Sequence, residues 1–355
     1  MKAALFHDFK KPLAIEEFPD PVLRPNGAIV RILSFRIASY TGRVFAGELS
    51  YAMPDPFPFI PGPSAVGVVE QVSDDVFGIK PGEIVYMDSL VASRSPGVND
   101  DAILIAWTGL KAESKRMQSL WRNGTFAEKA LWPAECLTSL KGAESFDPGV
   151  LGYLIYFMIA HGGLLRGGFR SGQSLVVNGA TGGIGTAAIL VSLAMGASKI
   201  VAVGRDQGTL NQLREIDPKR ITAVSLSKDV STYTEEIRVA GEEADMMLDA
   251  LGSAPTPDPT LACLNAIRSQ GTAVFVGGVK VDIPLPYSKV MLNELTIRGS
   301  FMYPKDTPAE IWRMITSGVL RLDVLRPHIF SLDKINEAIR QASEMKGVHY
   351  CVVVP

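Results

Sequence analysis

With 355 residues, 47% of them hydrophobic and 20% charged, the chain is long enough for two globular domains, each with its own core. A formal charge of −2 provides no basic surface for nucleic acid or an anionic membrane. The opening MKAALFHDFKKP has no apolar signal-peptide core, and no uncharged apolar run reads as long enough for a transmembrane helix, so a cytoplasmic protein is expected.

Three cysteines, Cys136, Cys263 and Cys351, lie far apart and are expected to be separate buried thiols, neither disulfides nor metal ligands. The first 85 residues are β-rich: runs such as AIVRILSF and SAVGVVEQV, punctuated by Gly and Pro, suit an antiparallel barrel-like domain. Residues 54–63, PDPFPFIPGP, carry five prolines and predict a stiff, extended loop. Residues 88–122 are less regular, with one candidate helix in KAESKRMQSLW, and strand and turn character then returns through WRNGTFAEKALWPAECLTSL.

From about residue 147 the pattern changes. FDPGVLGYLIYFMIAHGGLLR reads as an apolar helix, SLVVNGATGGIG as a strand entering a glycine loop, and TAAILVSLAMGA as a helix. SKIVAVGR, ADMMLDALG and GTAVFVGGV are buried-type strands. Alternating strands and helices predict a doubly wound parallel sheet. PAEIWRMITSGVL and LDKINEAIRQASEMK follow as helices, and HYCVVVP as a strand returning to the first domain. The expected division is 1–150, completed by 297–355, against 151–296.

The strongest local signal is Gly179-Ala180-Thr181-Gly182-Gly183-Ile184-Gly185, placed after an apolar strand and before a helix. Glycines there permit a tight turn and close approach of backbone to a pyrophosphate, which meets the free N–H groups of the helix. Ala180 occupies the usual first-glycine position, while Gly182 and Gly185 keep the second and third. About 20 residues on, where the ribose is read, stand Gly204, Arg205 and Asp206. Gly204 makes room and Arg205 suits a 2′-phosphate; the alternative is that Asp206 serves NAD.

On these segments, together with PFIPGPSAVGVVEQVSDDVFGIKPGEIVY, FVGGV and LTIRGSFM, the chain resembles the medium-chain dehydrogenase/reductases, in their zinc-free, quinone-reductase-like branch. The resemblance implies an α/β protein: a GroES-like antiparallel β-barrel domain built from both chain ends, plus a Rossmann domain. It also implies a homodimer joined through the LTIRGSFM edge, and a small-molecule substrate held in a cleft between the domains. Cofactor contacts would come from Ala180 to Gly185, Gly204, Arg205, Leu251, Val276, Gly277, Ser300, Phe301 and Met302, with NADPH expected over NADH.

The family's zinc ligands are absent by the same comparison. Ile37, Pro63, Ser64 and Leu154 stand at or near those positions, and residues 88–122 replace the four-cysteine lobe without a cysteine. His7, His161, His328 and His349 are scattered, and His161 maps near the helix bordering the nicotinamide. Without a Lewis acid, hydride transfer to a conjugated C=C bond or a quinone is the first expectation. A metal-free alcohol/carbonyl reductase or a catalytically idle cofactor-binding protein are the alternatives. Tyr51, then Tyr40, are the candidate proton donors, with Ser39 at the family's proton-relay position.

Overall fold

The computed structural model describes residues 1–92, 102–111, 114–226 and 229–355. It divides into two units: Met1–Tyr153 with Arg326–Met345 and Tyr350–Pro355, and Leu154–Leu325 with Lys346–His349.

In the first unit, alternating apolar residues build strands with one buried face. β1 (Lys2–Leu5) and β2 (Ala14–Glu17) form a hairpin. β3 (Gly27–Ile37) is the longest strand, and nearly all of it is buried because it is paired with three neighbours. These are β4 (Ala65–Val72), β9 (Lys129–Pro133) and the last strand β18 (His349–Val354), all antiparallel to it. β5 (Ile84–Met87), β10 (Leu137–Ser139) and β17 (Arg326–Ser331) complete a seven-stranded sheet. A smaller sheet of β6 (Leu90–Ala92), β7 (Ala102–Leu104) and β8 (Thr108–Gly109) lies within residues 88–122. The helix expected there is α2 (Lys115–Leu120), shorter than the sequence suggested; Ala112 and Glu113 of that stretch, and residues 93–101, lie outside the described residues. The short α1 (Thr41–Phe45) follows β3, and α11 (Ile335–Ala342) packs against both. Residues 54–63 form a loop without helix or strand, apart from the bridge of Phe59 to Phe6.

In the second unit six parallel strands run in the order β13-β12-β11-β14-β15-β16: Ile221–Ser225, Lys199–Gly204, Ser174–Asn178, Ala244–Asp249, Ile267–Phe275 and Thr296–Gly299. This is the Rossmann order, with its switch point between β11 and β14. The central strands are Val-, Ile- and Met-rich and buried on both faces, as a sheet covered by helices requires. The covering helices are α4 (Leu154–Arg166), α5 (Gly183–Ala194), α6 (Gln207–Arg214), α7 (Val230–Gly241), α8 (Asp258–Asn265) and α10 (Thr307–Thr316); α9 (Tyr287–Leu292) has no fully buried residue, with Val290 partly buried against the core.

Two expectations need correction. The chain returns to the first unit at Arg326, not 297: β16 is the sixth strand of the parallel sheet and α10 packs on α4. The expected helix from 147 is broken at Gly152-Tyr153 into α3 (Pro148–Leu151) and α4. By length and composition Pro148–Arg166 is apolar enough to cross a membrane, which the reading of the sequence passed over; 72% of it is buried within the protein, as in a core helix. The three cysteines are all buried and form no disulfide among the described residues.

Candidate active site

The strand-to-helix turn after β11 has the form the glycine motif demands. A Cβ on Gly185 would lie 2.2 Å from the Gly179 carbonyl oxygen, so only glycine lets α5 sit this close to the turn. Gly182 differs: its added Cβ would meet only the Gly179 oxygen, at 3.4 Å, and the residue is exposed. No protein packing there demands a glycine, which is what an approach surface for a ligand would show. Gly182 is also the N-cap of α5, and no side chain caps the helix. An uncapped N-terminus with open space before it is a site for a pyrophosphate.

At the end of β12, Gly204 is buried and Arg205 exposed. Arg205 makes no hydrogen bond or ion pair among the described residues. Asp206 is fully engaged: one carboxylate oxygen accepts the Thr209 N–H at 2.8 Å, and the other accepts Lys346 Nζ at 2.6 Å. The Lys346 bond, then the Thr209 bond, hold its pKa down to about 2. The adjacent Gly347 N–H donates to the Thr181 carbonyl at 2.8 Å. Lys346 and Gly347 thus stand beside the dinucleotide turn although they lie over 160 residues further along the chain; no local motif marks them.

The segment after β16 is clamped by α4. Arg166 Nη1 donates to Ser300 Oγ at 2.8 Å and to the Met302 carbonyl at 2.9 Å. Met302 takes a left-handed φ of 50°, and Phe301 between them is 55% exposed. The fit to a dinucleotide is therefore good at the glycine turn, at the end of β12 and in the supported 300–302 turn.

In the first unit, Tyr40, at the N-cap of α1, and Tyr51 lie with parallel rings, centroids 6.4 Å apart and planes at 12°. Trp107 stands edge-on to both, at 6.4 and 6.1 Å. The indole N–H of Trp107 can only donate, whereas each phenol hydroxyl both donates and accepts, so the paired tyrosines can pass a proton in either direction. Burial, more than the neighbouring Tyr40, pushes the Tyr51 pKa well above the usual phenol value. Ala52 anchors Tyr51: its N–H donates to Thr108 Oγ1 at 3.0 Å, and its carbonyl accepts from the Gly109 N–H at 2.8 Å and Gln118 Nε2 at 2.6 Å. Ser39 is exposed and joins this pair through no hydrogen bond among the described residues. Trp107 is a buried aromatic that the sequence reading did not single out, because an isolated Trp in an apolar stretch has no spacing signature.

The positions that correspond to zinc ligands carry no metal-binding chemistry in the first unit. Ile37 is buried in its apolar core with Cys351, Pro63 has no donor, and the Ser64 carbonyl accepts a hydrogen bond from Thr125 Oγ1. Among the described residues no group of three or more His, Cys, Asp or Glu side chains is placed to hold a metal.

His161, on α4, is 1% exposed, and its Nδ1 has no hydrogen-bond partner; Glu310 of α10 lies 3.7 Å away. That carboxylate would favour a proton, but burial outweighs it and lowers the His161 pKa to about 4. The unfolded chain therefore binds this proton at a higher pH than the folded one does. Between about pH 6.5 and 4 stability should fall as the pH falls, by up to about 3 kcal/mol from this group. His161→Gln should flatten the pH dependence of the urea midpoint in that window; an unchanged slope would show that His161 is not its source.

Two family models cover most of the chain: the alcohol dehydrogenase GroES-like domain at residues 24–142 and the zinc-binding dehydrogenase family at 183–317. An alcohol dehydrogenase from Moraxella sp. (strain TAE123) is 27% identical over 96% of both chains, and a rat (Rattus norvegicus) sorbitol dehydrogenase is 25% identical over 95% of this chain and 91% of its own. In structure, an alcohol dehydrogenase from Thermus sp. ATN1 superposes with a TM-score of 0.83 at 20% identity, covering 100% of this chain and 99% of its own. The parallel sheet in Rossmann order, the glycine turn and both family models agree: the chain belongs to the medium-chain dehydrogenase/reductase superfamily and is an NAD(P)H-dependent oxidoreductase of that type.

Proposed function

We propose that the protein interconverts a carbonyl compound and its alcohol with NADP(H), using the Tyr40–Tyr51 pair for proton transfer in place of a metal. The observation that carries this reading is the parallel pair of Tyr40 and Tyr51 with Trp107 edge-on to both, in the unit where Ile37, Pro63 and Ser64 replace the ligand side chains. The relatives named as alcohol and sorbitol dehydrogenases support a carbonyl/alcohol couple over the conjugated acceptor first expected from the sequence.

The N-terminus of α5, with Thr181 to Gly185, would hold the pyrophosphate, and Arg205 beside Gly204 would take the 2′-phosphate. Leu251, Val276, Gly277 and the Ser300–Met302 turn would line the nicotinamide end. When bound, the nicotinamide supplies a hydride to the carbonyl carbon. The Tyr40 hydroxyl would donate a hydrogen bond, and finally a proton, to the carbonyl oxygen; Tyr51 would restore that proton and be reprotonated in turn by solvent water, with Trp107 packed edge-on against both rings. Steady NADPH oxidation with aldehydes or ketones after dialysis against EDTA tests the reading; turnover that vanishes on chelation and returns with zinc would contradict it.

A second reading, reduction of a conjugated C=C bond or a quinone, is favoured by the aromatic wall of Tyr40, Tyr51 and Trp107, which suits a flat acceptor. The protein is further proposed to be a cytoplasmic homodimer. β16 is a sheet edge with unpaired backbone groups, and beside it α9 exposes Tyr287, Met291 and Leu292. Light scattering at micromolar concentration should give twice the chain mass; the mass of one chain would refute the dimer.

A further inference from the structure

β14 carries an aspartate at each end, in opposite surroundings. At its start, Asp245 accepts hydrogen bonds from the Ser174 N–H and hydroxyl at 2.8 and 3.0 Å, and pairs with Arg268 Nε at 2.9 Å. At its finish, Asp249 is 3% exposed and has no cation partner among the described residues. Burying a carboxylate without a cation is costly, and this one sits at the carboxyl ends of the parallel strands, where open α/β sheets bind their ligands.

Three neutral donors meet it instead. Oδ2 accepts Thr260 Oγ1 at 2.6 Å and Asn178 Nδ2 at 3.2 Å, while Oδ1 accepts the Leu251 N–H at 2.9 Å. Each donor comes from a different element: Asn178 ends β11, just before the glycine turn; Thr260 is on α8; Leu251 follows β14. The Asp249 carbonyl also accepts the N–H groups of Val276 and Gly277, both at 3.0 Å. Leu251 passes this order on. Its carbonyl accepts the Gly278 N–H at 3.0 Å, and it packs so tightly on Gly277 that a Cβ there would lie 2.1 Å from the Leu251 oxygen. The Leu251 N–H can only donate, so Oδ1 must accept; an amide in place of the carboxylate could meet it only by turning its own N–H groups toward Thr260 and Asn178.

We propose that Asp249 is the positioning residue for the nicotinamide end of the cofactor, its buried carboxylate fixing the Leu251 turn and, through it, the Val276–Gly277 segment relative to the dinucleotide turn. The inference rests on the placement of the dinucleotide proposed above. It predicts that the two halves of the cofactor respond differently to loss of the carboxylate.

The test is calorimetric titration of the full chain with NADPH and with 2′-phospho-ADP-ribose, which lacks the nicotinamide. Asp249→Asn should weaken NADPH about ten- to a hundredfold and leave 2′-phospho-ADP-ribose within about twofold. Thr260→Val, which removes one donor and keeps the carboxylate, should shift NADPH in the same direction by less, and decides the matter if Asp249→Asn does not fold. Asp245→Asn is the control for stability alone: it should lower the melting temperature and leave the ratio of the two affinities unchanged. An unchanged ratio in both Asp249→Asn and Thr260→Val, or the same shift in Asp245→Asn, would overturn the proposal. If Gly182→Val leaves 2′-phospho-ADP-ribose binding at the wild-type level, the placement of the dinucleotide itself falls, and the proposal with it.

Discussion

Replacing Tyr40 by Phe is expected to lower kcat for carbonyl reduction by about 10²–10⁴, the usual size of a general-acid contribution, with NADPH affinity held within about twofold. The reason is the pairing of the two phenols: Tyr40, at the start of α1, lies with its ring parallel to the more deeply seated Tyr51, and Trp107 stands edge-on to both. Tyr51→Phe removes the residue that re-supplies the Tyr40 proton and should also lower kcat, by less than Tyr40→Phe. Full kcat in both single variants would show that water or another residue donates.

Arg205→Ala is expected to weaken NADPH by about ten- to a hundredfold and to leave NADH nearly unchanged, the loss of a charge-assisted bond to phosphate. Asp206, the residue that would otherwise bind the ribose hydroxyls of NAD, has one oxygen on Thr209 and the other on Lys346. Arg205, one residue before it, is exposed and pairs with no other side chain among the described residues, so it is available to a phosphate. Equal loss for both cofactors in binding titrations would mean that Arg205 does not read the 2′-phosphate.

The Rossmann unit was legible because its signals are local. β11, β12 and β14 are short runs of buried β-branched and aliphatic residues, and Gly179–Gly185 joins β11 to α5 as the fingerprint requires. The barrel strands β3 and β4 and the returning β18 showed through the same patterning. What escaped depends on contacts distant in the chain. β16 has a mostly exposed surface, as an edge strand does, so its weak pattern did not extend the parallel sheet to Gly299. Lys346 and Gly347 reach the glycine turn only through the fold. Asp249 looked like the polar end of a strand, and its meaning comes from Thr260, Asn178 and Leu251 converging on it. The two tyrosines were singled out by position, but their pairing against Trp107, which no motif marks, comes only from the fold. The choice of acceptor was the least legible: absent zinc ligands fit a conjugated acceptor and a tyrosine-assisted carbonyl equally well, and the relatives' activities moved the balance.

The central claim, metal-free transfer of hydride to a carbonyl carbon, is tested most directly by a substrate offering both sites. An α,β-unsaturated ketone is incubated with EDTA-dialysed protein and NADPH deuterated in the transferring position at C4. The product is then examined by deuterium NMR. The account predicts an allylic alcohol with deuterium on the carbinol carbon. A saturated ketone with deuterium on the β-carbon, or no product until zinc is restored, would contradict it.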